Sequence, residues 1–491
     1  MTTSTKRCSR YAIACLLSLT GLVGLSTAAE QPRPVTLADL LQQVLDYYPS
    51  LESAALQVKQ AQQTSALIES RLGWQLNAQV GISQDMSLFG SPVTSLNAGT
   101  HLTRALPDGD SLAVSANILH DDADETLPTL PNPSTSTSVE LLYRKPLAQG
   151  KENIDYQSSL KDAASQVDNL RAVQQLDYEQ IAEQLIDLYT AALASQQRID
   201  TIRQTIRRSQ RLHQFILDRV DFGIAEDKDR LQTDAQLHSL QAQLKAFELI
   251  RTKQTINLNR LLGKPWQTPL TLATQQAAPV RENFETLLNQ ARDHSPLLKI
   301  NAARLALADT LIERQRDTNR DRLDLVLSIG HRGLSGDSAG GSINNNEMVG
   351  GAQLEFGRAV DRSSNATALY QAQLARDIVL QDKKQVDSDL HYTIATLLAE
   401  LAAIDETIRA WRRSVASEHA KLEEAEKRYR TGRIAIDQVL QFENQTATSE
   451  LELALQQIEY QRTHDRLELI RGTLWEKVLI PPHLANQGEK Q

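Results

Sequence analysis

Ionisable side chains crowd two short stretches of this 491-residue chain. Asp221, Glu226, Asp227 and Asp229 surround Gly223, with Arg219 just before them. Arg428, Arg433 and Asp437 surround Gly432. Their chemistry would be electrostatic, since acids in the first turn of a helix favour its dipole. Covalent chemistry finds no support. There is no His-Glu-x-x-His, no Walker loop and no Gly-x-Ser-x-Gly, and the ten His residues are scattered. Both cysteines, Cys8 and Cys15, fall in the first 29 residues, so no disulfide or thiolate chemistry is expected in the rest. We read the chain as a non-enzyme with no metal and no cofactor.

Residues 1–29 have the pattern of a secretory signal. Lys6, Arg7 and Arg10 precede an apolar stretch from Tyr11 to Leu25, and Ser26-Thr27-Ala28-Ala29 offers a cleavage site. Without that segment the chain carries 49 basic and 61 acidic residues, a formal charge of −12. That excess of acid argues against a nucleic-acid partner. No apolar run is long enough for a transmembrane helix, so any membrane span would have to be a closed β-barrel.

The elements that position the two charged stretches are long helical hairpins, at 151–263 and 362–472. A shift of 209 lays one on the other without a gap: Ile199 on Ile408, Arg203 on Arg412, Arg219 on Arg428, Gly223 on Gly432, Leu231 on Leu440, Leu258 on Leu467 and Gly263 on Gly472. Residues 152–222 contain neither Pro nor Gly. At about 1.5 Å per residue such an arm would reach roughly 105 Å, far beyond an ordinary globular helix. Leu176, Ile181, Leu185, Leu188, Ala192 and Ile199 recur at three-to-five residue steps, as on one side of a coiled coil. Gly223 and Gly432 end the long arms as left-handed caps do.

Between the helices lie runs that alternate with period two. Leu76, Ala78, Val80 and Ile82 form one, and Leu112, Val114, Ala116 and Ile118 another. Leu323 to Ile329 and Gly350 to Phe356 repeat the pattern. We expect four strands in the first half (75–84, 97–105, 111–119 and 138–144) and two in the second (about 322–356). Pro107-Asp108-Gly109-Asp110 is a strong turn, and 120–136 a long polar loop. Short turns and long loops alternate as they do in outer-membrane barrels. Helices at 35–48 and 51–72, and at 284–293 and 297–319, precede each strand group. The expected organisation is a signal (1–29), a first repeat (30–263), a linker (264–281), a second repeat (282–476) and a polar tail (477–491).

This order resembles the TolC-type outer membrane efflux family over nearly the whole chain after the signal. Arg428-Tyr429-Arg430-Thr431-Gly432 followed by Asp437-Gln438-Val439-Leu440 is similar to the family's Tyr-x-x-Gly…Asp-x-x-Leu turn. Asn259-Arg260-Leu261-Leu262-Gly263 resembles the close of its first hairpin, and Tyr143-Arg144-Lys145-Pro146-Leu147 resembles a strand end that usually reads Gln-Pro-Leu. The resemblance implies a mainly α fold with a β membrane part: a homotrimer with a barrel in outer membrane lipid and an α-helical tunnel in the periplasm. It implies a passive conduit in a tripartite efflux or type I secretion system, served by a periplasmic adaptor and an inner-membrane pump of RND or ABC type. The tips at Gly223, Gly432, Arg219 and Arg428 would dock the adaptor. Asp229, Asp437, Arg433 and Asp227 would be the gate candidates, each acid becoming a ring of three that repels anions and holds cations. The chain departs from the family at the second tip. Where the best-known family member has acids six and nine positions after the Gly, this chain has Gln438 and Gln441; where that member has an Arg two positions after, Ile434 stands. The family supplies four strands per chain. If 97–119 belongs to the wall, the trimer would have 18 strands; alternatively that hairpin packs outside a wall of 12. A secreted structural coiled-coil protein without a pore is the other reading.

Overall fold

The computed structural model describes residues 34–474 except 87–89, 225 and 275–276. The expected signal (1–29) and tail (477–491) lie outside the described residues.

Helix α1 (Leu37–Tyr47) opens on a reciprocal cap: Asp39 N donates to Thr36 Oγ1 (3.2 Å) and Thr36 N to Asp39 Oδ2 (2.9 Å). Pro49 does not merely interrupt. It occupies the first turn of α2 (Pro49–Ser70), where its missing N–H costs nothing. Pro296 does the same for α6 (Pro296–Thr318), which follows α5 (Phe284–His294).

The first hairpin is α3 (Ile154–Asp221, 68 residues) and α4 (Asp227–Leu261, 35 residues). The second is α7 (Ser363–Arg430, 68 residues) and α8 (Ile436–Ile470, 35 residues), so all four bounds of the second are those of the first plus 209. Each long arm extends about 100 Å. Alongside α3, α2 packs on its first part, through Val58, Ala61 and Val167, and α4 on its last. Likewise α6 and then α8 pack between α3 and α7. The chain therefore makes four parallel rows: α2 with α4, α3, α6 with α8, and α7.

Two apolar cores sit where the stacked helices meet. In the first, Leu37, Leu40, Leu41 and Val44 of α1 cover Leu185, Ile186 and Ala192 of α3 and Leu258 of α4. In the second, Leu287, Leu288 and Ala291 of α5 cover Ile394 and Leu401 of α7 and Leu467 of α8. Leu185, Ala192 and Leu258 stand 209 positions before Ile394, Leu401 and Leu467.

Six strands form one antiparallel sheet in sequence order: β1 (Gln75–Met86), β2 (Pro92–Ala105), β3 (Ser111–Ala123), β4 (Ser134–Pro146), β5 (Arg322–Ser338) and β6 (Gly341–Gly357). The 97–119 hairpin thus lies inside the sheet, bonded to β1 on one side and β4 on the other. Several strands exceed their expected bounds. β2 begins at Pro92, β5 continues to Ser338, and β6 starts at Gly341.

Candidate functional site

Two places have unusual physical chemistry: the faces of the sheet and the tips of the hairpins. Strand alternation sends successive side chains to opposite faces. Ladder register then aligns one apolar row across the sheet: Leu76, Leu102, Val114, Leu141, Ile329 and Gly350. Along the same face Val80, Ile82, Ile118, Val139, Leu327, Leu354 and Phe356 are all exposed. The opposite face carries Gln79, Gly99, Asn117, Ser138, Arg332 and Glu347 in register. An apolar surface spanning six strands far exceeds what a monomer leaves in water.

Where the polar face meets the helices, Arg144 reaches Asp324 (2.8 Å) and Glu355 (2.6 Å), and Arg322 reaches the same two carboxylates (2.8 and 3.3 Å). Two cations and two anions tie β4, β5 and β6 together at the foot of the sheet. The Asp324 side chain is only 5% exposed, so its charge depends on these partners.

At the tips, Gly223 (φ +70°) and Gly432 (φ +71°) adopt the left-handed conformation that closes a helix. A Cβ added at either would meet no described atom within 4 Å beyond its chain neighbours. The two tips differ in what they bury. Ile436, Val439 and Leu440 of α8 pack with Tyr429 and Leu422 of α7 against Ile216 of α3. The positions 209 before those of α8 are Asp227, Arg230 and Leu231, and Leu231 is 54% exposed. So the second hairpin turns an apolar face to α3, and the first has no matching face on α4. Phe222 and Ile224 also stand out at the first tip, 79% and 64% exposed.

The site residues expected from the sequence fall into separate roles. Asp227 bonds Arg230 one turn on (2.6 Å), which holds its carboxyl below the usual range. Lys228 pairs with Glu226 (2.7 Å), and Glu226 above all raises its ammonium pKa, with smaller contributions from Asp229 and Asp437. Asp229 and Asp437, from facing hairpins, thus act on one lysine. Asp229 also acts on Tyr429, whose hydroxyl pKa rises mainly through burial. Arg219 spans the hairpins: Nη1 donates to the Tyr429 carbonyl (3.4 Å), and its guanidinium lies 5.7 Å from the ring centres of Phe215 and Tyr429. Arg428 pairs within its own helix with Glu424 (2.8 Å), and Arg433 is exposed. Among the described residues neither joins the two tips.

Besides the ion pairs at the foot of the sheet, a second group was missed in the sequence. Above the tips, Glu443 of α8 is buried against α3, with Arg208 Nε at 3.5 Å and Ser209 Oγ donating at 3.4 Å. Arg208 also reaches Glu450 (3.4 Å), which meets His419 of α7 (2.8 Å). Burial pushes the Glu443 carboxyl up, and Arg208 opposes that shift. The signal available was a carboxylate and a guanidinium on the inward stripes of two helices.

No protein-family model matches the chain, and no curated protein matches it. Solved structures do. The outer membrane protein VceC of Vibrio cholerae matches at TM-score 0.62 and 14% identity, over 89% of this chain and 95% of that one. The open-state outer membrane channel MtrE of Neisseria gonorrhoeae matches at 0.60 and 16%, over 89% of each. The Campylobacter jejuni outer membrane channel CmeC matches at 0.56 and 14%, over 89% and 85%. The chain has the fold of these outer membrane channels, as the TolC-type resemblance implied.

Proposed function

We propose that this chain is an outer membrane channel of the TolC type, acting as a homotrimer in a tripartite efflux or type I secretion system. The carrying observation is the two-faced sheet continued directly by long helices. Its apolar face fits lipid and its polar face fits an aqueous bore. The helical rows, closed into a ring by three copies, form a periplasmic tunnel. The two halves are a structural repeat, as their common 209-residue offset supports. A non-pore coiled-coil protein would have no use for the apolar face.

The chain does no covalent chemistry in this reading and moves solute passively. Its tips gate the tunnel. Asp229 and Asp437, repeated threefold beside Lys228, set the charge of the narrowest section. The exposed Phe222 and Ile224, with Gly223 and Gly432, meet a periplasmic adaptor that links to an inner-membrane pump of RND or ABC type. Fractionation of cells expressing the chain tests this. Heat-modifiable trimers in the outer membrane are expected; monomer in the soluble periplasm would sink the proposal.

A further inference from the structure

We infer that all six strands of each chain enter the membrane wall, so that three chains close an 18-stranded barrel through β6 of one copy and β1 of the next. This rests on the trimeric reading above and specifies its pore. Within the chain, β2 and β3 have ladders on both sides, so neither is an appendage to a four-stranded wall. The sheet order ends at β1 and β6, and among the described residues no ladder joins them. Open strand edges do not survive in hydrocarbon, so both need a partner. Self-closure is no solution, since even eight strands enclose little more than their own side chains.

A second copy fits these edges. Six is an even number, so β6 and the following β1 run antiparallel, like every other pair in the sheet. β1 leaves the end of α2 and β6 leads into α7, so both edges have their helical end at the same level. The apolar row of β1 (Leu76, Ala78, Val80, Ile82) then meets that of β6 (Phe356, Leu354, Ala352, Gly350). On the polar face, Asn77, Gln79 and Ser83 of β1 are uncharged. In that register they meet Glu355, Gln353 and Val349 of β6, and the one pair of like charges, Asp85 opposite Glu347, falls next to the outer end of β1.

The consequence is a wide exit. With strands about 4.8 Å apart and tilted about 45°, 18 strands give a backbone diameter of about 39 Å, against about 26 Å for 12. Four helical rows per chain at about 9.5 Å spacing give a tunnel circumference on the order of 115 Å, close to that of the larger barrel. The barrel therefore continues the tunnel without narrowing, and the hairpin tips alone set the size limit for cargo.

Electron microscopy of the full-length protein in lipid nanodiscs, viewed down the barrel, counts the strands. Single cysteines add an independent readout, because the chain has none after Cys15. We expect 18 strands, Leu102→Cys and Ile118→Cys labelled only by a lipid-soluble maleimide, and His101→Cys and Asn117→Cys labelled by a water-soluble one. A trimer with a 12-stranded wall, or equal aqueous labelling at 101 and 102, would overturn the inference and leave the trimeric channel standing. Absence of any closed trimeric barrel would overturn both.

Discussion

Replacing Arg208 with Met should loosen the seam between the two hairpins. Glu443 is 4% exposed and faces Arg208 at 3.5 Å, with Ser209 as its other close polar partner. Removing one member of a fully buried pair costs about 3–5 kcal/mol, because a charge is stranded in a low-dielectric site. Here the loss is smaller. The Arg208 side chain is 22% exposed, and the Glu443 carboxyl, already pushed up by burial, can take a proton. About 2 kcal/mol remains, or roughly a thirtyfold rise in local opening. Arg208→Met with Glu443→Met restores an apolar seam and should return most of that loss. Hydrogen exchange of the α8 amides between 436 and 446 reads the difference directly. If the single and double variants exchange alike, or the single variant matches the parent, the ion pair does not hold the hairpins together and the reasoning fails.

Three further expectations follow from named contacts. Burial pushes the Glu179 carboxyl from 4.5 up to about 7. A group with a raised carboxyl pKa contributes full stability below about 4.5 and loses it as pH rises to 7, so Glu179→Gln should match the parent's thermal midpoint at pH 4 and exceed it at pH 8. Gly432→Ala forces a side chain into a left-handed backbone and should cost about 1 kcal/mol, with Gly432→Asn costing less; denaturant midpoints of the two variants check the order. Ala98→Lys places a charge on the apolar face in mid-strand and should cost about 2–4 kcal/mol, cutting the yield of assembled trimer, whereas Ser115→Lys on the polar face should assemble normally.

Much of the fold was legible because it rests on periodicity. The hairpin arms show it through absent Pro and Gly, and the mid-strand runs through strict alternation. Strand ends were harder to see. Residues 331–338 and 341–349 include Gly333, Ser335, Gly336, Asn344, Asn345 and Asn346, which leave no continuous apolar row. Their pairing comes from ladder bonds that continue past the apolar band. The tips were legible in position and not in partnership. Leu231 and Leu440 share a register in sequence, yet one is exposed and the other buried, because at the tips the first turns of α8 pack an apolar face on α3 and α7, whereas the matching turns of α4 carry Asp227 and Arg230. Tyr429 stood in a recognised turn motif, but its bond to Arg219 spans 210 residues. Arg208 and Glu443 are 235 positions apart in sequence, and each alone reads as an ordinary helix charge.

The most direct test of the channel is single-channel recording of the purified trimer in a planar bilayer, with and without Asp229→Asn and Asp437→Asn. Small, cation-selective steps are expected, with a selectivity that falls when these tip carboxylates are neutralised. Trimers that insert into the bilayer and pass no current would contradict the channel reading.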